Sequence, residues 1–474
     1  MKCLTKILIL LAAAVFLYAC QKEKLNSSSD KVLHFSSTII TFDTIFTSIS
    51  SPTKNLRVTN QTNENIVISS VVLAGGSQNG FRLNVNGEVA NETYNISIPP
   101  QDSIFIFIEA TLGKTGKSGP LITEDSIMFR VNNIEQKVLL RAWGQDFVMI
   151  NSSKIKTSIW TKDRPYLVYS EAVVDSGQTL NIEAGTSVYF HKNAGLVIKG
   201  NLNVSGTFEE PVEFKGDRLE PGYYNIPDQW NGIILCSGSH DDIINFAKIK
   251  NANIGLQVGT IEHNGYASVE LSNTRIENMS WSGIWAMKSK ILAYNCVISN
   301  VRYYNTALLL GGDYQFYHTT FANYYNDIAT GIRTTETMFL SNYLVDTKSG
   351  VKYVGDLKQA IFGNCIITGN RVNELLISMD NKGETNYLFD RTLIQVSDTF
   401  KITDQNRFVG IIRNVNPRFK SPYDGNLELD TLSIAKDYGK LDYAKTYPVD
   451  LKDQSRISDD GPDLGAYERV ERKN

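Results

Sequence analysis

Short runs of alternating apolar and polar residues, each closed by Asn, Asp or Gly, recur along the second half of the chain at a nearly constant interval. The clearest begin at Asn273, Asn295, His318, Asn342 and Asn364, which lie 22, 23, 24 and 22 positions apart. A looser copy runs from Asn245 to Asn251. Alternation at period two puts Ile276, Ile298, Phe321, Val345 and Ile367 on one face of their strands. A unit of about 22 residues holds roughly three short strands and three turns, and no single unit can bury its own apolar face. Stacking closes a continuous interior, so the pattern predicts a right-handed parallel β-helix. The Leu-x-x-Leu-x-Leu framework of leucine-rich repeats is missing. No stretch carries an apolar stripe at helical spacing between caps. Asn251, Asn278, Asn300 and Asn323 recur at one place in successive units. An inward ladder of amides explains them, since Asn tolerates the left-handed backbone of such turns and its side chain reaches the next rung. That structural role is placed ahead of lining a ligand groove, because a structural device must recur in every rung.

From Val32 to Asp146 the pattern changes to alternating strands with longer turns, as in Ile104-Phe-Ile-Phe-Ile108 and Ile127-Met-Phe-Arg-Val131. Gly75-Gly76, Asn86-Gly87 and Pro99-Pro100 punctuate them. Six or seven strands in that length fit an immunoglobulin-like β-sandwich without the antibody-type Cys…Trp…Cys bridge. The expected fold class is therefore all-β: an N-terminal β-sandwich followed by a right-handed parallel β-helix solenoid.

Several segments sharpen this. Thr179 to Phe190, Gly195 to Thr207 and Pro211 to Phe214 resemble the opening rungs of the pectin-lyase-like class, with Gly185, Gly200 and Gly206 at tight turns. Trp230 to Ile233 and Ile254 to Val258 are similar to the rungs that follow. Thr41 to Thr47 and Asp102 to Phe107 resemble the N-terminal sandwich of bacterial lipoproteins that carry a β-helix behind it. Asn416 to Phe419, Leu427 to Leu429, Ser433 to Gly439 and Gly461 to Glu468 resemble the closing segment of secreted β-helix proteins. In that segment Asp463 and Glu468 are read as residues capping the exposed end of the solenoid.

The first twenty residues are an address rather than structure. Lys2 and Lys6 precede an apolar stretch from Ile7 to Phe16, too short to span a bilayer as an anchor. The stretch ends Leu17-Tyr18-Ala19-Cys20, which resembles the lipobox of bacterial lipoproteins and implies acylation of Cys20. The predicted organisation is a signal peptide (1–19), a flexible tether (20–31), the sandwich (32–150), the β-helix (160–412) and a C-terminal capping segment (413–474). Gln21-Lys22-Glu23-Lys24 loosely resembles the short charged signals that direct some lipoproteins to the outer face of the outer membrane. Lys plus Arg total 47 and Asp plus Glu 50, which leaves no electrostatic footprint for nucleic acid. Cys236, Cys296 and Cys365 remain after the leader, an odd number that does not indicate a disulfide framework. No CxxC, HxH or HExxH spacing marks a metal site, and neither metal nor cofactor is expected.

The chemistry is harder to read than the coil. Asp241-Asp242, preceded by His240, is the one obvious paired carboxylate of the coil and a candidate catalytic site. A solvated turn is the preferred reading, and the polygalacturonase motifs (Asn-Thr-Asp, paired Asp, Gly-His-Gly, Arg-Ile-Lys) do not occur as a set. Arg275 and Lys248 lie in strands with no carboxylate assigned to them. Trp281 and Tyr303 occupy equivalent places after Asn278 and Asn300, with Trp285, Tyr304, Tyr324 and Tyr325 near in sequence. Stacked in register, these six rings would form a strip suited to sugar faces; covering turns or filling the interior is the reading placed ahead of it. The expected role is a lipid-anchored cell-envelope protein, non-catalytic, binding glycan or another surface component through the β-helix turns. Its expected partners are the membrane, through the lipid, and a polysaccharide. The alternatives are a polysaccharide lyase or glycoside hydrolase of the pectin-lyase-like class, and a structural spacer or adhesin.

Overall fold

The computed structural model describes residues 33–151, 154–261, 266–327 and 331–469, with side chains unassigned at 327, 331 and 332. The leader, Cys20 and the tether lie outside the described residues. The chain divides into two compact units, Met1–Asp146 and Phe147–Asn474.

The first unit is a sandwich of two five-stranded sheets. Alternate residues point inward, so Leu56, Val58, Ile104, Ile106 and Ile108 from one sheet meet Ile68, Val71, Ile127, Phe129 and Leu140 from the other in one core. Pairing is antiparallel except where Ile134–Gln145 runs parallel to Ile39–Phe46.

The second unit is the right-handed parallel β-helix, built from sheets of eleven and sixteen strands. In the smaller sheet Val188, Phe214, Ile249, Ile276, Ile298, Phe321, Ile367 and Ile394 stack directly above one another, all buried. Each such side chain stabilises the fold by about 1.5–3 kcal/mol, and none could be buried by its own rung. Beside that column Phe316, Phe362, Phe389 and Phe408 stack nearly parallel at 4.6 to 5.4 Å. Phe400 and Ile402 pack on the last rungs and close that end.

The corners explain the Asn pattern. Phe246, Asn273, Asn295, His318, Asn364 and Arg391 share one corner with φ between 46° and 53°. Asn251, Asn278 and Asn300 share another, at 65°, 61° and 57°. The Asn278 amide donates to Asn251 Oδ1 at 3.3 Å, and Asn300 donates to Asn278. Asn323 leaves this ladder and bonds the backbone of Val301 instead.

One expected rung is not a rung. Tyr343–Val345 pairs antiparallel with Lys352–Val354 as a hairpin, and Val345 is exposed. The eleven-stranded sheet passes from Thr320 directly to Ile366, although Met338–Ser341 just before the hairpin is a coil strand of the larger sheet. The hairpin lays Leu344 against an outward apolar patch of Met287, Ala307 and Leu309.

The closing segment also differs from expectation. It does not cap the end of the coil; it runs back along the flank as a strap. Leu427, Leu429, Ala435, Leu451, Leu464 and Ala466 bury the outward residues Val297, Ala322, Ile366 and Leu393 of the eleven-stranded sheet. Thr320 Oγ1 accepts the Ala466 N–H at 2.9 Å, and Asn295 Nδ2 donates to the Val449 carbonyl at 2.9 Å. Asp463 and Glu468 belong to this strap. Arg456, fully buried, approaches Glu468 at 3.3 Å and donates to Asn295 Oδ1 at 3.0 Å. Burial pushes Asp463 up to about 7 and Glu468 up to about 9, with Asp437 adding to the first shift and Asp463 to the second, although Arg456 opposes both.

The folded strap therefore holds protons that an unfolded chain, with ordinary carboxyls, gives up. Stability contributed by this pair is greatest in acid and declines as pH rises toward 9. In denaturant titrations at pH 6 and pH 9 the midpoint should fall at the higher pH, and Glu468→Gln should flatten that difference. An unchanged pH response in the variant would remove the pair from the account.

Candidate active groove

The strap covers only part of its sheet. On the strands before it, the outward positions are charged. Glu213 and Lys215 stand on Val212–Gly216, Lys248 and Lys250 on Ala247–Lys250, and Arg275 and Glu277 on Arg275–Met279. Register stacks Glu213, Lys248 and Arg275 in one column, while Lys250 meets Glu277 in the next. The first column then turns apolar at Val297, beneath the strap.

These side chains floor a groove of about 390 Å³. One wall is the loop at 217–229, which brings Tyr224 and Asn225; the other is the hairpin of Phe419–Ser421 and Asn426–Leu429, which brings Tyr423 and Gly425. Gly425 reverses the hairpin with φ 77°, a conformation that suits glycine. Its carbonyl accepts from Arg275 Nη2 at 3.0 Å, and Arg275 also bonds the Tyr467 hydroxyl and Glu277. Arg275 thus belongs to the floor and fastens the wall. Tyr224 and Tyr423 stand on the two walls, 66% and 70% exposed.

The floor is electrostatically organised. Lys215 Nζ lies 2.6 Å and Lys248 Nζ 3.9 Å from Glu213, and Lys250 Nζ sits 4.0 Å above the Tyr224 ring. Burial works against the Glu213 carboxylate, yet Lys215, Lys248 and Lys250 outweigh it and hold its pKa below the ordinary value. Burial likewise disfavours the Lys215 ammonium, but Tyr189 and Glu213 prevail and hold its pKa above the ordinary value. Arg275 follows the same balance, with burial overcome by Glu277. Both cations stay charged. Among the described residues no three His, Cys, Asp or Glu side chains converge to hold a metal ion.

Of the residues singled out from sequence, Lys248, Arg275, Asn278, Asn300 and Tyr324 line the groove, and the others fall elsewhere. Asp241 and Asp242 do not face each other as an acid pair. Asp242 is fully buried and accepts the Leu202 N–H at 2.7 Å and the Ser239 hydroxyl at 2.6 Å. Burial raises its pKa to about 6 against those bonds. Asp241 is exposed and meets His240 at 2.9 Å. The triplet is a structured turn.

The six aromatic rings do not form one strip. Trp281 contacts Trp285 at 6.1 Å and Tyr303 at 4.7 Å, a cluster beyond the groove at the turn out of Arg275–Met279. Tyr304 packs on Phe339 at 5.3 Å, and Tyr325 is buried. Tyr324 alone of the six lines the groove, edge-on to Tyr423 at 5.5 Å. Asn278 and Asn300 line it too, so these ladder amides also edge a groove. Sequence reasoning missed Glu213, Lys215, Lys250 and Glu277. The signal was present as charged residues at alternate strand positions in three successive rungs, legible once their register is known.

No family model matches the chain, and no curated protein does. Among solved structures it is similar to the E. coli chaperone DraB, 14% identical over 26% of this chain and 58% of that one, with a TM-score of 0.18. It is similar to a family 123 glycoside hydrolase from Clostridium perfringens, 10% identical over 27% of this chain and 30% of that one, with a TM-score of 0.19. A PL6 family alginate lyase is 12% identical over 69% of this chain and 57% of its own length, with a TM-score of 0.20. The chain spans less than two thirds of each of these three proteins.

Replacing Arg275 by Ala leaves Glu277 without its cation and the hairpin without its tie. A loss of about 1–3 kcal/mol in denaturant unfolding is expected, together with faster proteolysis within residues 419–429. Arg275→Lys should recover part of both. Unchanged stability and cleavage would show that the wall stands without it.

Proposed function

We propose that the protein is a lipid-anchored cell-envelope protein that binds an acidic polysaccharide, without cleaving it, in the groove between the 217–229 loop and the 419–429 hairpin. The observation that carries this is the outward array of Lys215, Lys248, Lys250 and Arg275, set among the strand carboxylates Glu213 and Glu277, with Asp424 on the hairpin wall. Four fixed cations attract a polymer that carries carboxylates along its length. Tyr224 and Tyr423 offer exposed ring faces to the sugars between those charges. Glu213 and Glu277 hold the cations in place, so little ordering is needed on binding.

The protonation of Lys215 and Arg275 favours binding over lyase chemistry, which needs an uncharged base at the proton next to the carboxylate. A second reading as a polysaccharide lyase rests on Lys248, whose distance of 3.9 Å from Glu213 makes it the more loosely paired of that carboxylate's two lysines. The anchor is proposed from the lipobox at Cys20. The N-terminal sandwich is proposed to be immunoglobulin-like, from its two five-stranded sheets about one core, and to act as spacer or partner contact.

Titration of polygalacturonate into the protein, following both heat and the ultraviolet absorbance of unsaturated product, tests this. Binding without product is expected, weakening with salt. Lys215→Ala with Lys248→Ala should weaken it at least tenfold, while Trp281→Ala with Tyr303→Ala should leave it unchanged. Product formation would establish the lyase instead, and absence of binding by any acidic polysaccharide would leave a spacer or adhesin.

A further inference from the structure

A second cavity of about 450 Å³ lies along the same sheet and shares Tyr324 with the charged groove. It lies where the strands Ile366–Gly369, Leu393–Ile394 and Ile412–Arg413 end, at Thr368, Gly369, Gln395, Val396 and Asn414. From Val212–Gly216 to Ile412–Arg413 there are eight successive strands, a run of roughly 34 Å at ~4.8 Å per strand. The chemistry changes along it. The first three strands present the lysines, Arg275 and their carboxylates, whereas the second cavity is lined by Thr368, Gln395, Asn414 and Asn416. Asn414 and Asn416 spend their carbonyl oxygens on the Val396 and Arg418 N–H groups at 2.8 and 2.7 Å, which leaves their NH₂ groups as donors. The carboxylate there, Asp398, is fully exposed and lies 3.9 Å from Arg413 of the last strand, and the pair leaves this half without net charge. Tyr324 and Tyr423 stand edge to face at the junction of the two halves.

We propose that the two cavities form one extended site with a cationic half and an uncharged half, and that its ligand is a heteropolysaccharide in which uronate units adjoin neutral sugars. This rests on the binding reading above and adds the charge distribution of the ligand. Uronates lie over Lys215, Lys248 and Arg275, and neutral sugars take hydrogen bonds from the amides beyond Tyr324. A carboxylate placed in that half finds Asp398 already paired with Arg413 and none of the groove's lysines, so its desolvation goes uncompensated and a neutral sugar is favoured there.

Polygalacturonate oligomers of one length test this without changing the backbone, compared with oligomers methyl-esterified in a block over one half. The full-length protein in detergent should bind the half-esterified oligomer several-fold more tightly by titration calorimetry. Val372→Trp, at a position 77% exposed on the rim of the uncharged half, should abolish that preference. Equal or tighter binding of the fully charged oligomer, or a preference that survives Val372→Trp, would overturn the two-part site and leave the cationic groove standing. Failure of every oligomer to bind would remove both readings.

Discussion

Register is the constraint on which the rest of the second unit depends. Each rung hydrogen-bonds in parallel to its neighbours, so a side chain at one strand position lies above its counterpart in the next rung. Inward, that rule makes a column of Ile, Val and Phe. At the corners it makes ladders of Asn and one run of left-handed residues. Outward, it converts spacing in sequence into spacing in space: Glu213, Lys248 and Arg275, 62 residues from first to last, become neighbours at ~4.8 Å. A slip of one residue would send these charges inside and the apolar column out.

The outward face then divides between stability and recognition. Where Val297, Ala322, Ile366 and Leu393 project, the strap covers them and gains apolar burial. Where lysines, Arg275 and glutamates project, burial without partners would be costly, and the strap stops at a hairpin held by Arg275. The open groove thus lies on the strands of the sheet that the strap leaves uncovered. The boundary is written in one column, at the change from Arg275 to Val297.

Much of the fold is legible in the sequence because period-two alternation and turn residues are local signals. The two-part all-β architecture follows from them, as do the buried positions of Ile276, Ile298, Phe321 and Ile367. The Asn342 unit misleads because a hairpin strand carries the same alternation as a rung strand, and local pattern does not report the partner. The strap misleads for a similar reason: Asp463 and Glu468 are near the end of the chain, yet their neighbours include His318 and Arg456 on the flank. The site was the least legible part. Asp241-Asp242 attracted attention as adjacent carboxylates, although Asp241 ends an exposed turn with φ 60° and Asp242 is buried where a strand opens. The lysines of the groove are separated by an inserted loop between Lys215 and Lys248, so their convergence depends on register that the sequence does not display.

Lysine acetylation read by mass spectrometry, with and without saturating polygalacturonate, tests the central claim most directly, because it reports where the polymer lies as well as that it binds. The account predicts that Lys215, Lys248 and Lys250 become protected together while Lys290, on the other long sheet, labels as before. Protection that spares the three groove lysines, or that falls equally across the surface, would contradict it.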